Sequence, residues 1–128
     1  MHAPLKPLCW VATTLDDLKE FPEEVLDVMG YALYLAQRGD KHPDAKPLKG
    51  FGGAGVVEVV ESFDGNAFRA VYTVKFSGVI YALHAFQKKS TQGRRTSLAD
   101  MEKIKARLKQ AREIHESRET GSTKGGAP

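Results

Sequence analysis

The sequence predicts one α+β domain: an antiparallel sheet, made of an N-terminal strand and a three-strand meander, with two helices before the meander and one after it. Three observations predict this. The turn signals Asp64-Gly65-Asn66 and Ser77-Gly78 divide residues 56–86 into runs rich in Val, Tyr and Phe, as strands joined by hairpins require. Apolar residues recur at helical spacing before that block (Val25, Met29, Ala32, Leu33, Ala36) and after it (Leu98, Met101, Ile104, Leu108, Ala111). The 128 residues, 41% hydrophobic and 27% charged, suffice for one modest core and not for two domains.

Each element has a local cause. Residues 8–12, Leu-Cys-Trp-Val-Ala, form a short apolar first strand. Thr14-Leu15-Asp16-Asp17 has the spacing of a capping box and opens a short helix, which ends near Glu20 because Phe21 precedes a proline. Pro22 suits the first turn of a second helix, with Glu23 and Glu24 at its positive end and Gly39 as its stop. Residues 40–55 contain two prolines and four glycines and read as a loop. Strands are expected at 56–62, 68–76 and 79–86. Ser97-Leu98-Ala99-Asp100 repeats the capping pattern and opens a final helix to about Ser117. The domain then covers residues 1–118, and the Gly/Ser-rich segment 119–128 reads as a disordered tail.

Composition narrows the function classes. Cys9 is the sole cysteine, so no intrachain disulfide forms, and its apolar neighbours suit a buried thiol in a reducing cytoplasm. No apolar run approaches the ~18 residues of a membrane span, and the first residues lack the apolar core of a signal peptide. A cytoplasmic protein without a membrane partner is expected. His2, His42, His84 and His115 lack the pair spacing of a zinc site, and Gly50-Phe51-Gly52-Gly53-Ala54-Gly55 is not followed by the Lys-Ser or Lys-Thr of a phosphate loop. No nucleophile-elbow motif supports a Ser-His-Asp site. Neither metal nor cofactor is expected.

The 19 basic and 16 acidic residues give a net charge of +3, and their placement says more than their sum. Lys88, Lys89, Arg94, Arg95, Lys103, Lys105, Arg107, Lys109 and Arg112 face only Asp100 and Glu102 between 88 and 112, whereas residues 16–27 are acidic. A polyanion or an acidic partner would meet the C-terminal half.

The strand register gathers specific side chains. With Ser77-Gly78 as a two-residue turn, Phe76 pairs with Val79 and Arg69 falls opposite Phe86; with 64–67 as the other turn, Ser62 sits opposite Arg69. Alternation then puts Val57, Val59, Phe63, Phe68, Ala70, Tyr72, Val74, Phe76, Val79, Tyr81, Leu83 and Ala85 on one face, the expected core. The other face carries Glu58, Ser62, Arg69, Thr73, Lys75, His84, Phe86 and Lys88, among the apolar Val60, Val71, Ile80 and Ala82. Arg69, His84 and Lys88 beside Phe86 suit a bent phosphodiester with one base stacked on the ring. A solvated sheet face with ordinary charges has the same composition.

The runs Pro47-Leu48-Lys49-Gly50, Val57-Glu58-Val59-Val60-Glu61, Phe68-Arg69-Ala70-Val71-Tyr72 and Leu83-His84-Ala85-Phe86-Gln87-Lys88-Lys89-Ser90 are similar to those of the phage-related, HigB-like branch of the RelE/ParE toxin superfamily. The resemblance covers roughly residues 8–115, and its specific part is the HAFQKK segment with the upstream Phe-Arg. It implies a type II toxin that inhibits translation as a metal-independent endoribonuclease, cutting messenger RNA, often on the ribosome, and held in check by a helix-turn-helix antitoxin of the HigA type. In that chemistry a ribose 2′-hydroxyl attacks the adjacent phosphate, which calls for a cation on the transition state and a proton acceptor. The resemblance implies Arg69 as that cation and Lys88 and Lys89 as phosphate or leaving-group contacts. His84 and Glu58 are the groups on that face suited to act as base. Phe86, Lys49, Lys75, Arg94 and Arg95 would bind RNA. Some RelE-type members carry a catalytic tyrosine near the C-terminus, and no tyrosine follows Tyr81 here. A ParE-like toxin that binds DNA gyrase without catalysis, or a phage-derived RNA-binding module, therefore stays open.

Overall fold

A computed structural model describes residues 4–53, 55–89 and 96–125. The chain runs β1 (Leu8–Trp10), α1 (Thr14–Lys19), α2 (Glu23–Gln37), β2 (Ala45–Pro47), β3 (Val56–Phe63), β4 (Asn66–Thr73), β5 (Ile80–Lys89) and α3 (Leu98–Gly125). The five strands form one sheet in the order β1-β5-β4-β3-β2, with β1 parallel to β5 and every other pair antiparallel. The predicted meander, helix pair and final helix are all present. β2 is an addition within the segment read as a loop. It pairs Ala45 with Val59 and Lys46 with Glu58, and its Pro47 is tolerated because the strand lies at the sheet edge. Among the described residues no helix is long and apolar enough to cross a membrane.

Local chemistry sets most boundaries. The Thr14 capping box does not form: Thr13 precedes the first turn, and the Thr14 hydroxyl donates instead to the Val11 carbonyl at 2.7 Å. Ala12 just before it takes a positive φ of 53°, which turns the chain from β1 into the helix. Pro22 sits at the N-cap position, one residue before the first turn where it was expected, and at the other end of α2 Gly39 (φ 87°) lets the Asp40 amide reach back to the Leu35 carbonyl at 2.8 Å. Ser97 does cap α3: its Oγ accepts the Asp100 amide at 3.1 Å and donates to Asp100 Oδ2 at 2.7 Å. α3 continues to Gly125, eight residues past Ser117, because no helix-breaking residue intervenes before Gly121 and His115 Nε2 lies 3.4 Å from Glu119 one turn on. Leu98, expected in its buried stripe, is exposed in the first turn, where no strand lies beneath it.

The sheet is buried on both faces, which the polar residues of its strands did not lead one to expect. α1 and α2 cover Val59, Phe68, Ala70, Tyr72, Ile80 and Ala85. α3, through Ile104, Leu108 and Ala111, covers Val56, Val71, Val79, Tyr81 and Leu83. Two backbone features change the pairing from that expected, and the second also changes the faces. First, the β3–β4 turn has only two residues, Asp64 (φ 52°) and Gly65 (φ 80°), so Phe63 pairs with Asn66 and Val60, not Ser62, lies opposite Arg69. That two-residue shift leaves every side chain on its predicted face of β3. Second, Arg69 does pair with Phe86 and Val71 with His84, but Tyr72 pairs with Ala82, leaving Leu83 as the extra residue of a β-bulge. The bulge moves Tyr81 and Leu83 to the α3 face and Ile80 to the other. Beyond Thr73 the strand stops, so Val74 is exposed, and Phe76 and Val79 are linked only by a turn hydrogen bond of 3.4 Å.

Candidate functional site

Arg69 and His84 on the α3 face are not open to solvent, whereas Ser62 and Lys75 at its margins are exposed. Arg69 is 5% exposed and His84 3% exposed, because α3 lies across them. A buried polar group must be hydrogen-bonded, and the partners come from three elements. Arg107 of α3 reaches down to the sheet, where Nη1 donates to the Leu83 carbonyl and to His84 Nδ1, both at 3.1 Å. Its Nη2 donates to Thr13 Oγ1 at 3.1 Å, and that hydroxyl donates onward to Asp17 Oδ2 at 2.8 Å. Because Nδ1 of His84 accepts from a guanidinium, Nε2 carries the proton and donates to Asp100 Oδ1 at 2.8 Å. One continuous chain of bonds thus joins α1, the bulge in β5 and the first turns of α3.

This surrounding sets the protonation states. Burial, with the Arg107 charge adding to it, lowers the His84 pKa in spite of the Asp100 bond, so the imidazole is neutral at pH 7. Burial also lowers Arg107. For Asp100 burial acts upward, but the bonds from His84 and Ser97 outweigh it and hold the carboxyl below its usual range. A histidine whose folded pKa lies below the unfolded value of about 6.5 contributes stability that is complete above that pH and is lost as pH falls through it. Asp100 acts in a separate window, below its ordinary value of 3.8. The urea midpoint is therefore expected to fall between pH 7 and pH 5, and His84→Gln is expected to flatten that part of the profile. A wild-type midpoint that is constant from pH 7 to 5 would contradict the assignment.

Beside this network lies a cleft of about 610 Å³ between the β2–β3 connection and the start of α3, lined by Lys46, Pro47, Leu48, Lys49, Gly50, Glu58, Thr96 and Met101. Among the described residues its one carboxylate is Glu58. Arg69 Nη1 lies 2.8 Å from Glu58 Oε2, and the Thr96 hydroxyl donates to the same oxygen at 3.0 Å. The two-residue turn is what brings them together, since it sets Glu58 diagonal to Arg69 across the β3–β4 pair. Both of these bonds end on Oε2. Pro47, Leu48 and Met101 give the cleft an apolar wall, while Lys46 and Lys49 give it positive charge. Gly50 (φ 99°) closes one end against Met101, and a Cβ there would stand 3.0 Å from the methionine methyl.

The predicted site residues separate accordingly. Glu58, Arg69 and Lys49 are at the cleft or directly behind it, while His84 and Phe86 are adjacent to each other, with rings stacked at 4.4 Å, under α3. Lys75 is elsewhere: it follows the end of β4, with Nζ 5.9 Å from the Phe76 ring. Lys88 and Lys89 pair through their backbones with Ala67 and Asn66, and their side chains lie outside the described residues, as do Arg94 and Arg95. Tyr81 is fully buried, bonded to His115 Nδ1 at 2.9 Å, with its pKa pushed up by burial. Sequence reasoning missed Lys46, Thr96, Met101 and the inward turn of Arg107. Only Arg107 carried a signal, lying three residues after Ile104 on the buried stripe of α3.

Residues 16–109 match the model of the family described as Phage derived protein Gp49-like (DUF891). Among solved structures, a double arginine-to-alanine mutant of the E. coli toxin RelE in its free state is similar over 84% of this chain and 98% of that one, with a TM-score of 0.52 and 13% identity. The toxin–antitoxin complex RelBE2 from Mycobacterium tuberculosis contains a chain similar over 66% of this chain and all of its own, with a TM-score of 0.46 and 15% identity. No curated protein sequence matches. At such identities the likeness to the solved structures is one of fold.

Proposed function

The chain belongs to the phage-derived Gp49-like family, and from that premise we propose that it is the toxin of a toxin–antitoxin pair, an endoribonuclease whose reacting centre is Glu58 in the lysine-rimmed cleft. The observation that carries the reading is the state of that carboxylate, which lines the cleft with one oxygen gripped by both Arg69 and Thr96. Such a group suits a general base held at fixed orientation. In the reaction Glu58 takes the proton of a ribose 2′-hydroxyl, and the 2′-oxygen attacks the adjacent phosphorus. The bond to the 5′-oxygen breaks and that oxygen takes a proton from solvent water, leaving a 2′,3′-cyclic phosphate and a 5′-hydroxyl. Lys46 and Lys49 bear the developing charge on the phosphate. Arg69, 5% exposed and paired with Glu58, acts here by positioning the base. His84 takes no proton from substrate, since it is buried and both ring nitrogens are engaged. Lys88 and Lys89, at the end of β5 beside the Arg69 strand, are assigned to the phosphate or the leaving oxygen through the resemblance alone.

The substrate in this reading is messenger RNA, cut on the ribosome in the cytoplasm, and the partner is a helix-turn-helix antitoxin of the HigA type. The test is induced expression with mapping of transcript ends. New 5′-hydroxyl ends from the wild-type chain, absent with Glu58→Gln, are expected. Growth arrest with intact transcripts and a DNA-damage response would replace the reading with a gyrase-directed toxin.

A further inference from the structure

The face of α2 that points away from the sheet is largely uncovered by the described residues, though the His42 ring meets Tyr31 edge-on at 5.8 Å. Tyr31 is 53% exposed and Tyr34 41% exposed, with their rings stacked at 6.4 Å. Between them and the acidic end of the helix lies Gly30, also exposed, with open space where a Cβ would stand and no positive φ to require a glycine. A mid-helix glycine costs helix stability relative to alanine, and no described residue comes within 4 Å of where its Cβ would stand. Close approach by another backbone offsets that cost. Glu23, Asp27, Gly30, Tyr31, Tyr34 and Arg38 share one stripe about 100° wide at 3.6 residues per turn. The stripe begins acidic, is aromatic at its middle and ends basic.

We propose that a second copy of this chain docks on the stripe, with the two α2 helices antiparallel about a two-fold axis near Gly30. Order and charge favour this occupant, because the stripe is complementary to its own reverse. In the antiparallel arrangement Glu23 meets Arg38 of the other copy, the Asp27 carboxylate meets the Tyr34 hydroxyl, and Tyr31 lies over Gly30. Each contact occurs twice. Arg38 is released at little cost, since its present contacts are an exposed pair with Asp40 at 3.4 Å and an approach of 5.9 Å to the Tyr34 ring centre. α2 and the Glu58 cleft lie on opposite faces of the sheet, so both clefts of the dimer stay open.

The test is sedimentation equilibrium of the full chain across a concentration series, with circular dichroism as the folding control. A reversible dimer is expected for the wild type. Arg38→Glu is expected to raise the dissociation constant roughly tenfold or more by setting like charges together, and combining it with Glu23→Arg is expected to restore the dimer. Gly30→Gln is expected to abolish the dimer while raising the thermal midpoint, an effect that misfolding cannot mimic. A wild type that stays monomeric at millimolar concentration overturns the proposal, as does a dimer unaffected by Gly30→Gln or a charge swap that fails to restore it.

Discussion

Glu58→Gln is expected to keep the fold of the parent chain and to lose RNA cleavage by roughly 10²–10⁴-fold, the range that a positioned general base contributes. The substitution keeps the size of the side chain, and an amide oxygen still accepts from Thr96 and Arg69, so stability should change little. What it removes is the capacity of the side chain to take a proton. In single-turnover assays the loss belongs to the rate of cleavage, with RNA binding at low salt near the parent value. Arg69→Lys is the companion variant. It retains a cation but not the planar guanidinium that lies 2.8 Å from Oε2. Partial activity with a shifted pH profile would mark Arg69 as the group that positions Glu58. Cleavage unchanged in Glu58→Gln would remove the carboxylate from the reaction and return the choice of base to groups outside the cleft.

The cleft and the buried network differ in how visible they were from the residues. Turn dipeptides, capping patterns and apolar periodicity are local signals, and they located the meander, the helix pair and the start of the final helix within a few residues. The Arg69–Phe86 pairing agrees with the expected register only beyond the bulge, because between Leu83 and the turn the pairing is one residue off, with Thr73 opposite Tyr81 and not Ala82. What stayed hidden depends on residues distant in sequence. Polar side chains on a strand read as an open face, yet α3, a helix beginning at Leu98, lies over Arg69 and His84, and its Asp100 and Arg107 bond the imidazole from above. The bulge at Leu83 has no glycine to announce it; it is held by Arg107 bonding to its carbonyl, a contact between residues 24 apart. β2 was concealed by its length of three residues and its proline, and with it went Lys46, the second lysine of the cleft. The Glu58–Arg69 pair was missed by one detail, the length of the Asp64-Gly65 turn.

Arg107 was counted among the basic residues that offer a field to a polyanion, and its position reverses that role. It is buried beneath α3 and donates to a backbone carbonyl, an imidazole and a hydroxyl belonging to separate segments. Arg107→Met is therefore expected to act on stability. A methionine fills much of the volume but leaves Leu83 O, His84 Nδ1 and Thr13 Oγ1 without their donor, and a buried acceptor left unsatisfied costs about 1–3 kcal/mol. Water admitted at the Asp17 end relieves part of this, so a net loss of about 3 kcal/mol is expected, or roughly 10 °C in thermal midpoint for a chain of this size. The cost is expected to shrink when His84→Gln is already present, because one of the three acceptors is then altered, and a double-mutant cycle measures that coupling directly. RNA binding separates the two roles of positive charge. Neutralising Lys46 or Lys49 at the cleft is expected to reduce the slope of log affinity against log salt by about 0.7–0.9 for each phosphate that the protein no longer neutralises, whereas Arg107→Met, assayed well below its midpoint, is expected to leave the slope unchanged. A stable Arg107→Met chain with a reduced salt slope would move Arg107 out of the interior and onto the surface that meets RNA.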